Sequence, residues 1–238
     1  LTFFYEHMII PQAAYVNAYK TCGWSDFLGN CDGDYTNPTL QCKTAIIEAL
    51  TNLPHELDAY DIYAPVCLDN PAAKQWTQYV SSWHPMSRYM PDNTTFYPCI
   101  DDYMTAYLNQ PAVQQAIHVN PTNWAYIGKI AYIHEYKYSV VPLWERFISQ
   151  TSWRILIYSG DVDSAVPTIG TQRWIECLGQ PVINPWRPWY YNNQTAGLIQ
   201  DYQGISFQTI KGAGHMVPYY LPAQGYAFYE TWLLAGNQ

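Results

Sequence analysis

Two short loops contain the side chains best suited to acid–base chemistry. The stretch "ILIYSGDVDSAVP" places Asp161 and Asp163 directly after an apolar run, and "KGAGHMVPYY" places His215 among small residues. A carboxylate can accept a hydrogen bond from histidine Nδ1–H, which fixes the tautomer and stabilises the imidazolium. Such a pair serves a nucleophile elsewhere in a site. The alternative is structural, with Asp161 capping a turn and His215 packed without a chemical role.

The elements before these loops decide whether their side chains can meet. The run "RILIYSG" is typical of a buried strand in a parallel sheet, and residues 205–210 give a second strand. A helical pattern follows each strand, which predicts the C-terminal part of an α/β sheet. Active groups in such sheets lie at the carboxyl ends of the strands. If the two strands are neighbours, an aspartate and a histidine project side by side.

The upstream region is predicted to be richer in helices and loops. Pro11 should end or kink the first helix, and Pro111 should separate two short helices in "YMTAYLNQPAVQQAIHV". The stretch "DAYDIYAPVC" favours a short strand or an extended segment. We expect residues 1–135 to form an insertion or cap region with cysteines and residues 136–238 to form the sheet core. Longer helices are predicted at residues 1–20, 39–52 and 138–150, and an exposed excursion at 68–98.

Composition excludes several classes of protein. Hydrophobic residues make up 49% of the 238 residues and charged residues only 13%, which excludes disorder and allows a sizeable core. The formal net charge of −8, with eleven Lys plus Arg, offers no basic stripe for a nucleic-acid partner. Uninterrupted apolar runs stay short of the about eighteen residues that a membrane span needs. No Cys/His spacing fits a metal site.

Cysteines and glycosylation sequons favour the secretory route. The sequons are Asn93-Thr94-Thr95 and Asn193-Gln194-Thr195. Disulfides persist in secretory compartments, and a low content of lysine suits an acidic one, so we expect a lysosomal, vacuolar or secreted location. The absence of a signal-peptide pattern, together with Leu1 in place of Met, favours a processed or trimmed chain. The six cysteines are Cys22, Cys31, Cys42, Cys67, Cys99 and Cys177.

The chain resembles the C-terminal half of a serine carboxypeptidase. The stretches "YSGDVDSAVPTIGTQRWI", "PWRPWYY" and "KGAGHMVPYYLPAQGYAFYETWL" follow that family's pattern in order and spacing. Earlier matches are "FFYEHMIIPQ", "AYDIYAPVC" and "YLNQPAVQQAIHV", and the likeness is weakest at 68–98 and 122–140. It implies the C-terminal part of an α/β-hydrolase sheet with a helical insertion. It also implies release of C-terminal residues from peptide substrates without a metal or organic cofactor.

The resemblance assigns roles to individual residues. Asp163 matches the aspartate of the Ser-His-Asp triad, His215 matches the general base, and Asp161 matches a supporting turn residue. Tyr60 and Met216 match positions that line the pocket for the leaving residue, where Met implies an apolar preference. Core packing is the open alternative for Tyr60 and Met216.

The resemblance also suggests two disulfides. These are Cys67–Cys99 and Cys22–Cys42. Cys31 and Cys177 are left over, and they pair with each other or with a further chain. No pairing of those two follows from the residues alone.

The nucleophile of such an enzyme is missing from the sequence. No Gly-x-Ser-x-Gly-like elbow occurs, and Ser159 and Ser164 do not lie between glycines. We therefore expect the serine in an N-terminal half or in a partner chain cut from the same precursor. Three alternatives stay open: a non-catalytic binding or structural subunit, an acyltransferase relative, and a homodimer.

Overall fold

The computed structural model describes two compact units of the chain. One comprises Leu1–Tyr63 together with Tyr136–Gln238, and the other comprises Ala64–Glu135. The first 63 residues are thus in the same compact unit as residues 136–238. The predicted division into an insertion at 1–135 and a core at 136–238 stays a prediction. The described residues are 1–23, 39–51, 53–54, 57–67, 100–125 and 140–235.

A four-stranded mixed sheet forms the centre of the C-terminal unit. Its strands are arranged in the order β1-β4-β3-β2. The outer strand β1 is parallel to β4, with Leu156 opposite Ser206 and Gly160 opposite Ile210, whereas the other pairs are antiparallel. Both strands predicted from the sequence are present, and the structure shows that they are neighbours. The bounds are β1 Leu156–Gly160, β2 Val182–Tyr191, β3 Gln194–Tyr202 and β4 Ile205–Ile210.

The hairpin of β2 and β3 is an element that the sequence prediction lacks. Its two-residue turn consists of Asn192 and Asn193, with φ values of 48° and 59°, and Tyr191 faces Gln194 across it. Two consecutive positive φ angles match the twist of the flanking strands, and asparagine adopts them more readily than most residues. The Asn–Asn dipeptide between aromatic and polar runs is the signal that could have revealed this hairpin.

The described parts of the chain contain nine helices. Pro11 separates the first two, as predicted, because its extended backbone starts a new helix. The helix after Thr39 begins where the threonine hydroxyl accepts a hydrogen bond from the Cys42 amide at 3.2 Å. The bounds are α1 Thr2–Glu6, α2 Gln12–Thr21, α3 Leu40–Leu50, α4 Ile100–Leu108, α5 Pro111–Ala116, α6 Val141–Gln150, α7 Thr168–Cys177, α8 Val217–Tyr220 and α9 Pro222–Leu234.

The structure tests several further predictions about the disulfides, helices and loops. The disulfide Cys22–Cys42 joins the end of α2 to α3, as the resemblance implied. The short helices α4 and α5 are separated at Pro111, as predicted. The stretch at 57–67 forms turns and loops instead of a strand. The predicted excursion at 68–98 lies outside the described residues. In the described ranges, the helices are all too short or too polar to cross a bilayer.

The core is built on both faces of the sheet. On one face Ile205 and Phe207, exposed by 2% and 0%, pack with Ile175 of α7 and with partly buried residues of α6. On the other face, Tyr158 contacts Phe228 of α9 at a ring distance of 4.8 Å. Strand side chains alternate between faces, so the same short strands serve both layers. Helices on two faces fix the sheet edge where the site lies.

We predict that Gly197→Ala will destabilise the sheet while Gly170→Ala will not. A Cβ at Gly197 would overlap the Thr209 carbonyl and the Trp189 indole nitrogen, which donates to that carbonyl at 2.8 Å. The loss should reach about 1–3 kcal/mol, the usual range for overpacking. Gly170 has open space in α7, so alanine there should stabilise by about 0.4–1 kcal/mol. Thermal unfolding of both variants provides the measurement, and equal melting temperatures would contradict the packing described.

Candidate active site

The loops after β1 and β4 meet at one edge of the sheet. The Asp161 amide donates to the Ile210 carbonyl at 3.2 Å, and the Val162 amide donates to the Ala213 carbonyl at 3.1 Å. These bonds extend the parallel pairing of the two strands into the loops. The carboxyl ends of both strands therefore present their side chains together, as expected for an α/β sheet.

Asp163 and His215 form a hydrogen-bonded pair across these loops. The distance between His215 Nδ1 and Asp163 Oδ2 is 2.8 Å. The Asp163 side chain is only 4% exposed, whereas that of His215 is 39% exposed. The other carboxylate oxygen accepts the amides of Ala165 and Val166 at 2.8 and 3.1 Å. Because Nδ1 is bonded to the buried carboxylate, Nε2 is the ring nitrogen that can exchange a proton with a third group.

Two glycines allow the loops to approach this closely. A Cβ at Gly160 would overlap the carbonyl oxygens of Ala213 and Gly214. A Cβ at Gly214 would overlap the Tyr60 carbonyl oxygen and the Asp61 side chain. The small residues before His215 therefore serve close backbone packing, since any side chain there would push the histidine loop away from Asp163.

A segment far upstream in the sequence holds both loops. The Tyr60 carbonyl accepts the His215 amide at 2.7 Å. The Ala59 carbonyl accepts the amides of Ser164 and Ala165 at 3.0 Å each, and also the Ser164 hydroxyl at 2.7 Å. Sequence reasoning missed this backbone role, because carbonyl groups are present at every residue and give no signal by type.

Tyr60 also places its side chain beside the histidine. The ring centroids of Tyr60 and His215 are 5.2 Å apart with planes tilted by 52°. Tyr60 is 43% exposed and Met216, the residue after His215, is 39% exposed. Both side chains are thus accessible and are not core residues. Their role in lining a pocket stays a prediction.

Asp161 contacts the histidine loop through the backbone. Its Oδ1 accepts the Gly212 amide at 2.6 Å. Burial raises the pKa of the Asp161 carboxyl, and the Gly212 hydrogen bond and the charges of His7 and Lys211 only partly oppose this. Asp161 therefore shapes the turn, while Asp163 makes the contact with the imidazole.

The serines of the first loop are engaged in structural hydrogen bonds. Ser159 Oγ lies 3.0 Å from Thr168 Oγ1 and its side chain is buried, while Ser164 Oγ donates to Ala59. Neither presents a free hydroxyl to His215. In the described ranges, His, Cys, Asp and Glu side chains form no cluster able to hold a metal ion.

The remaining predicted sites have mixed outcomes. Cys67 and Cys177 are both disulfide-bonded. Cys31, Cys99 and Asn93 lie outside the described residues, so the pairing Cys67–Cys99 and the first sequon stay predictions. Asn193 lies exposed at the tip of the β2–β3 hairpin.

A mixed sheet with helices on both faces, and an Asp–His pair at the carboxyl ends of two parallel strands, define the α/β-hydrolase class. The chain resembles the crystal structure of Kex1(delta)p, a prohormone-processing carboxypeptidase from Saccharomyces cerevisiae, with a TM-score of 0.55 at 14% identity. The match covers 94% of this chain and 49% of that one. The fold class predicted from the sequence is confirmed.

Sequence comparison defines the family. The family model for serine carboxypeptidases matches residues 1–235, and the chain belongs to that family. Serine carboxypeptidase-like 31 from Arabidopsis thaliana is 32% identical over 241 residues, covering 96% of this chain and 47% of the relative. Serine carboxypeptidase-like 26 from Oryza sativa subsp. japonica is 30% identical over 240 residues, with the same coverage. The chain spans about half the length of the curated relatives that it matches.

We predict opposite pH trends for Asp161→Asn and Asp201→Asn. The raised pKa of Asp161 gives stability that is present below its ordinary value of 3.8 and lost as pH rises through the folded-state pKa. The Asp161→Asn variant should therefore gain melting temperature relative to the unchanged protein as pH rises from below 3.8 to neutral.

Asp201 is the matched control with the reverse sign. Burial alone would raise its pKa, but hydrogen bonds from Ser206, Asn184 and Arg187 outweigh burial and lower it. The charged form then stabilises the fold above pH 3.8 and loses this effect as pH falls. Asp201→Asn should lose melting temperature relative to the unchanged protein as pH rises. Calorimetry across this range checks both, and parallel trends would contradict the assignment.

Proposed function

We propose that this chain supplies the aspartate and histidine of a serine carboxypeptidase that releases C-terminal residues from peptides. The observation that carries the proposal is the 2.8 Å bond between exposed His215 and buried Asp163 at the sheet edge. Membership in the serine carboxypeptidase family supports it, and a subunit without catalytic function would not need an exposed imidazole held by a buried carboxylate. The same point favours an enzyme over a non-catalytic binding or structural subunit.

The chemistry follows from the pair. A serine hydroxyl attacks the carbonyl of the last peptide bond while His215 Nε2 accepts its proton. His215 then donates that proton to the departing amino group, leaving an acyl-enzyme ester. A water molecule attacks the ester, again through His215, and frees the shortened peptide. Asp163 keeps the ring oriented and stabilises the imidazolium formed in each step.

The sequence has no Gly-x-Ser-x-Gly-like elbow to supply the serine. We infer that it belongs to an N-terminal half, either as part of the same molecule or as a partner chain from the same precursor. Among the described strands, β1 pairs only with β4, and its other edge is open. An open edge presents unpaired backbone N–H and C=O groups, which native proteins usually cover or protect. The relatives' additional length is sufficient to provide the covering strand and the nucleophile.

The leaving residue is proposed to lie against Tyr60 and Met216. Both side chains are about two-fifths exposed and lie next to the imidazole in space or in sequence. A tyrosine ring and a thioether offer an apolar and adaptable surface. We therefore expect a preference for apolar leaving residues.

The proposed setting is a lysosomal, vacuolar or secreted glycoprotein. Cys22–Cys42 and the bonded Cys67 and Cys177 fit an oxidising compartment. The exposed position of Asn193 is compatible with glycosylation.

Substitutions in the complete enzyme test the catalytic assignment. We expect His215→Ala to lower kcat by at least about 10⁴-fold, because the serine loses its base. Asp163→Asn should also cost about 10⁴-fold, since the tautomer is no longer fixed. Asp161→Asn should cost much less and should act through stability. Steady-state kinetics on a blocked dipeptide give the measurement, and a severe Asp161 effect with a benign Asp163 effect would reverse the roles.

Substrate choice separates a carboxypeptidase from an acyltransferase. We expect a blocked dipeptide with a free C-terminal carboxylate to react faster than its C-terminal amide, because an exopeptidase binds that carboxylate. Water should be the acyl acceptor, so the shortened acid should be the main product. Product analysis by mass spectrometry, with and without an added alcohol acceptor, makes the distinction. Transfer to the alcohol in preference to hydrolysis would favour the acyltransferase alternative.

A further inference from the structure

The tip of the β2–β3 hairpin combines a sequon with a tight turn. Asn193 is the second turn residue and the first residue of Asn193-Gln194-Thr195. Asn192, Asn193 and Thr195 are all exposed. A glycan at Asn193 would therefore project from the end of the hairpin without displacing any packed side chain.

An exposed aromatic ring lies next to this sequon across the hairpin. Tyr190 is the register partner of Thr195, and Tyr190 is 64% exposed. Side chains of directly opposed residues lie on the same face and within contact distance. The sequence from Tyr190 to Thr195, with Asn192 and Asn193 as its turn, thus places a ring, a potential sugar attachment and the sequon hydroxyl around one turn.

The apolar face of a pyranose ring stacks on an aromatic ring while its hydroxyl groups remain in water. We propose that Asn193 carries an N-linked glycan whose first N-acetylglucosamine stacks on Tyr190 and stabilises the hairpin. The inference rests on the secretory route within the proposed function and is independent of the Asp163–His215 pair. The Tyr190 ring would then be covered by sugar, which accounts for a large aromatic side chain at an exposed position.

The β2–β3 hairpin is weakly held, so one added contact could raise its stability. The pairing of β2 with β3 is interrupted by three register shifts, one of them between Trp189 and Tyr190. Val182 and Ile183 of β2 are 52% and 61% exposed, so much of this strand has little burial to hold it. The register of β3 with β4 covers only Ile199 to Tyr202, so the residues next to the turn form a two-stranded ribbon, and such ribbons are marginal in water on their own. A sugar packed at the turn would secure the end of the hairpin that lies beside the register shift between Trp189 and Tyr190.

The aromatic surface continues beyond the tip. Trp189 and Tyr190 line an open groove of about 590 Å³ together with Trp153 and Trp232. This surface gives later sugars of the same glycan further rings to contact. The proposal itself depends only on the first sugar and Tyr190.

The first test is occupancy and removal of the glycan. The complete protein is expressed in a eukaryotic secretory host that makes high-mannose glycans, and glycopeptides covering Asn193 are identified by mass spectrometry. We expect occupancy at Asn193. Trimming to a single N-acetylglucosamine should leave the melting temperature unchanged, whereas complete enzymatic removal should lower it by about 2–4 °C. An unoccupied Asn193 would overturn the proposal.

Asn193→Asp is the matched control for removal. Complete deglycosylation converts the asparagine to aspartate, so the treated protein and the treated variant have the same covalent structure at this position. Their melting temperatures should coincide after treatment and differ before it. If they already coincide before treatment, the glycan at Asn193 does not stabilise the protein.

The second test is a double-mutant cycle with Tyr190. Tyr190→Thr keeps a strand-forming residue but removes the ring, and Tyr190→Phe keeps the ring. We expect Tyr190→Thr to lower the melting temperature more in the glycosylated protein than in the Asn193→Asp background, and Tyr190→Phe to retain the stabilisation. Equal effects in both backgrounds would show that sugar and ring do not interact. Neither readout uses catalysis, so failure here is distinct from failure of the proposed hydrolysis.

Discussion

The parallel pairing of β1 with β4 is the constraint on which the candidate site depends. Because the two strands are parallel neighbours, their carboxyl ends lie side by side. The loops that follow them are hydrogen-bonded to each other. A shift of one residue in this register would turn Asp163 and His215 toward different faces. Helices on both sides of the sheet hold the register by burying Phe207 and its neighbours.

Backbone groups outside the strands also position the two loops. The Ala59 and Tyr60 carbonyls accept hydrogen bonds from both loops, and Gly160 and Gly214 leave the room that these bonds need. The carboxylate of Asp163 is fixed by two amides before it meets the imidazole. The geometry of the pair is therefore set in advance, which matters because preorganised groups require no rearrangement during reaction.

The described loops bring a histidine and a buried carboxylate together at the carboxyl ends of β1 and β4. His215 and Asp163 are hydrogen-bonded to each other, while Ser159 and Ser164 are held in structural hydrogen bonds. The outer edge of β1 is unpaired among the described strands, and the chain spans about half the length of its relatives. The strands, the two loops and the segment at Ala59 and Tyr60 together position this pair.

The sequence by itself determined the two strands, most of the helices and the residue types of the site, because these follow from local periodicity and from motifs of fixed spacing. The resemblance added the Cys22–Cys42 pairing, which the structure confirms, and the triad roles of Asp163 and His215, which stay predictions. Only the tertiary structure decided that β1 and β4 are neighbours and that the carbonyls of Ala59 and Tyr60 bind both loops. It also showed that the residues between these strands in the sequence include the hairpin β2–β3, which pairs with the far side of β4. The physical reason is that pairing and backbone hydrogen bonds between distant segments depend on how the whole chain packs, and carbonyl groups carry no side-chain signal in the sequence.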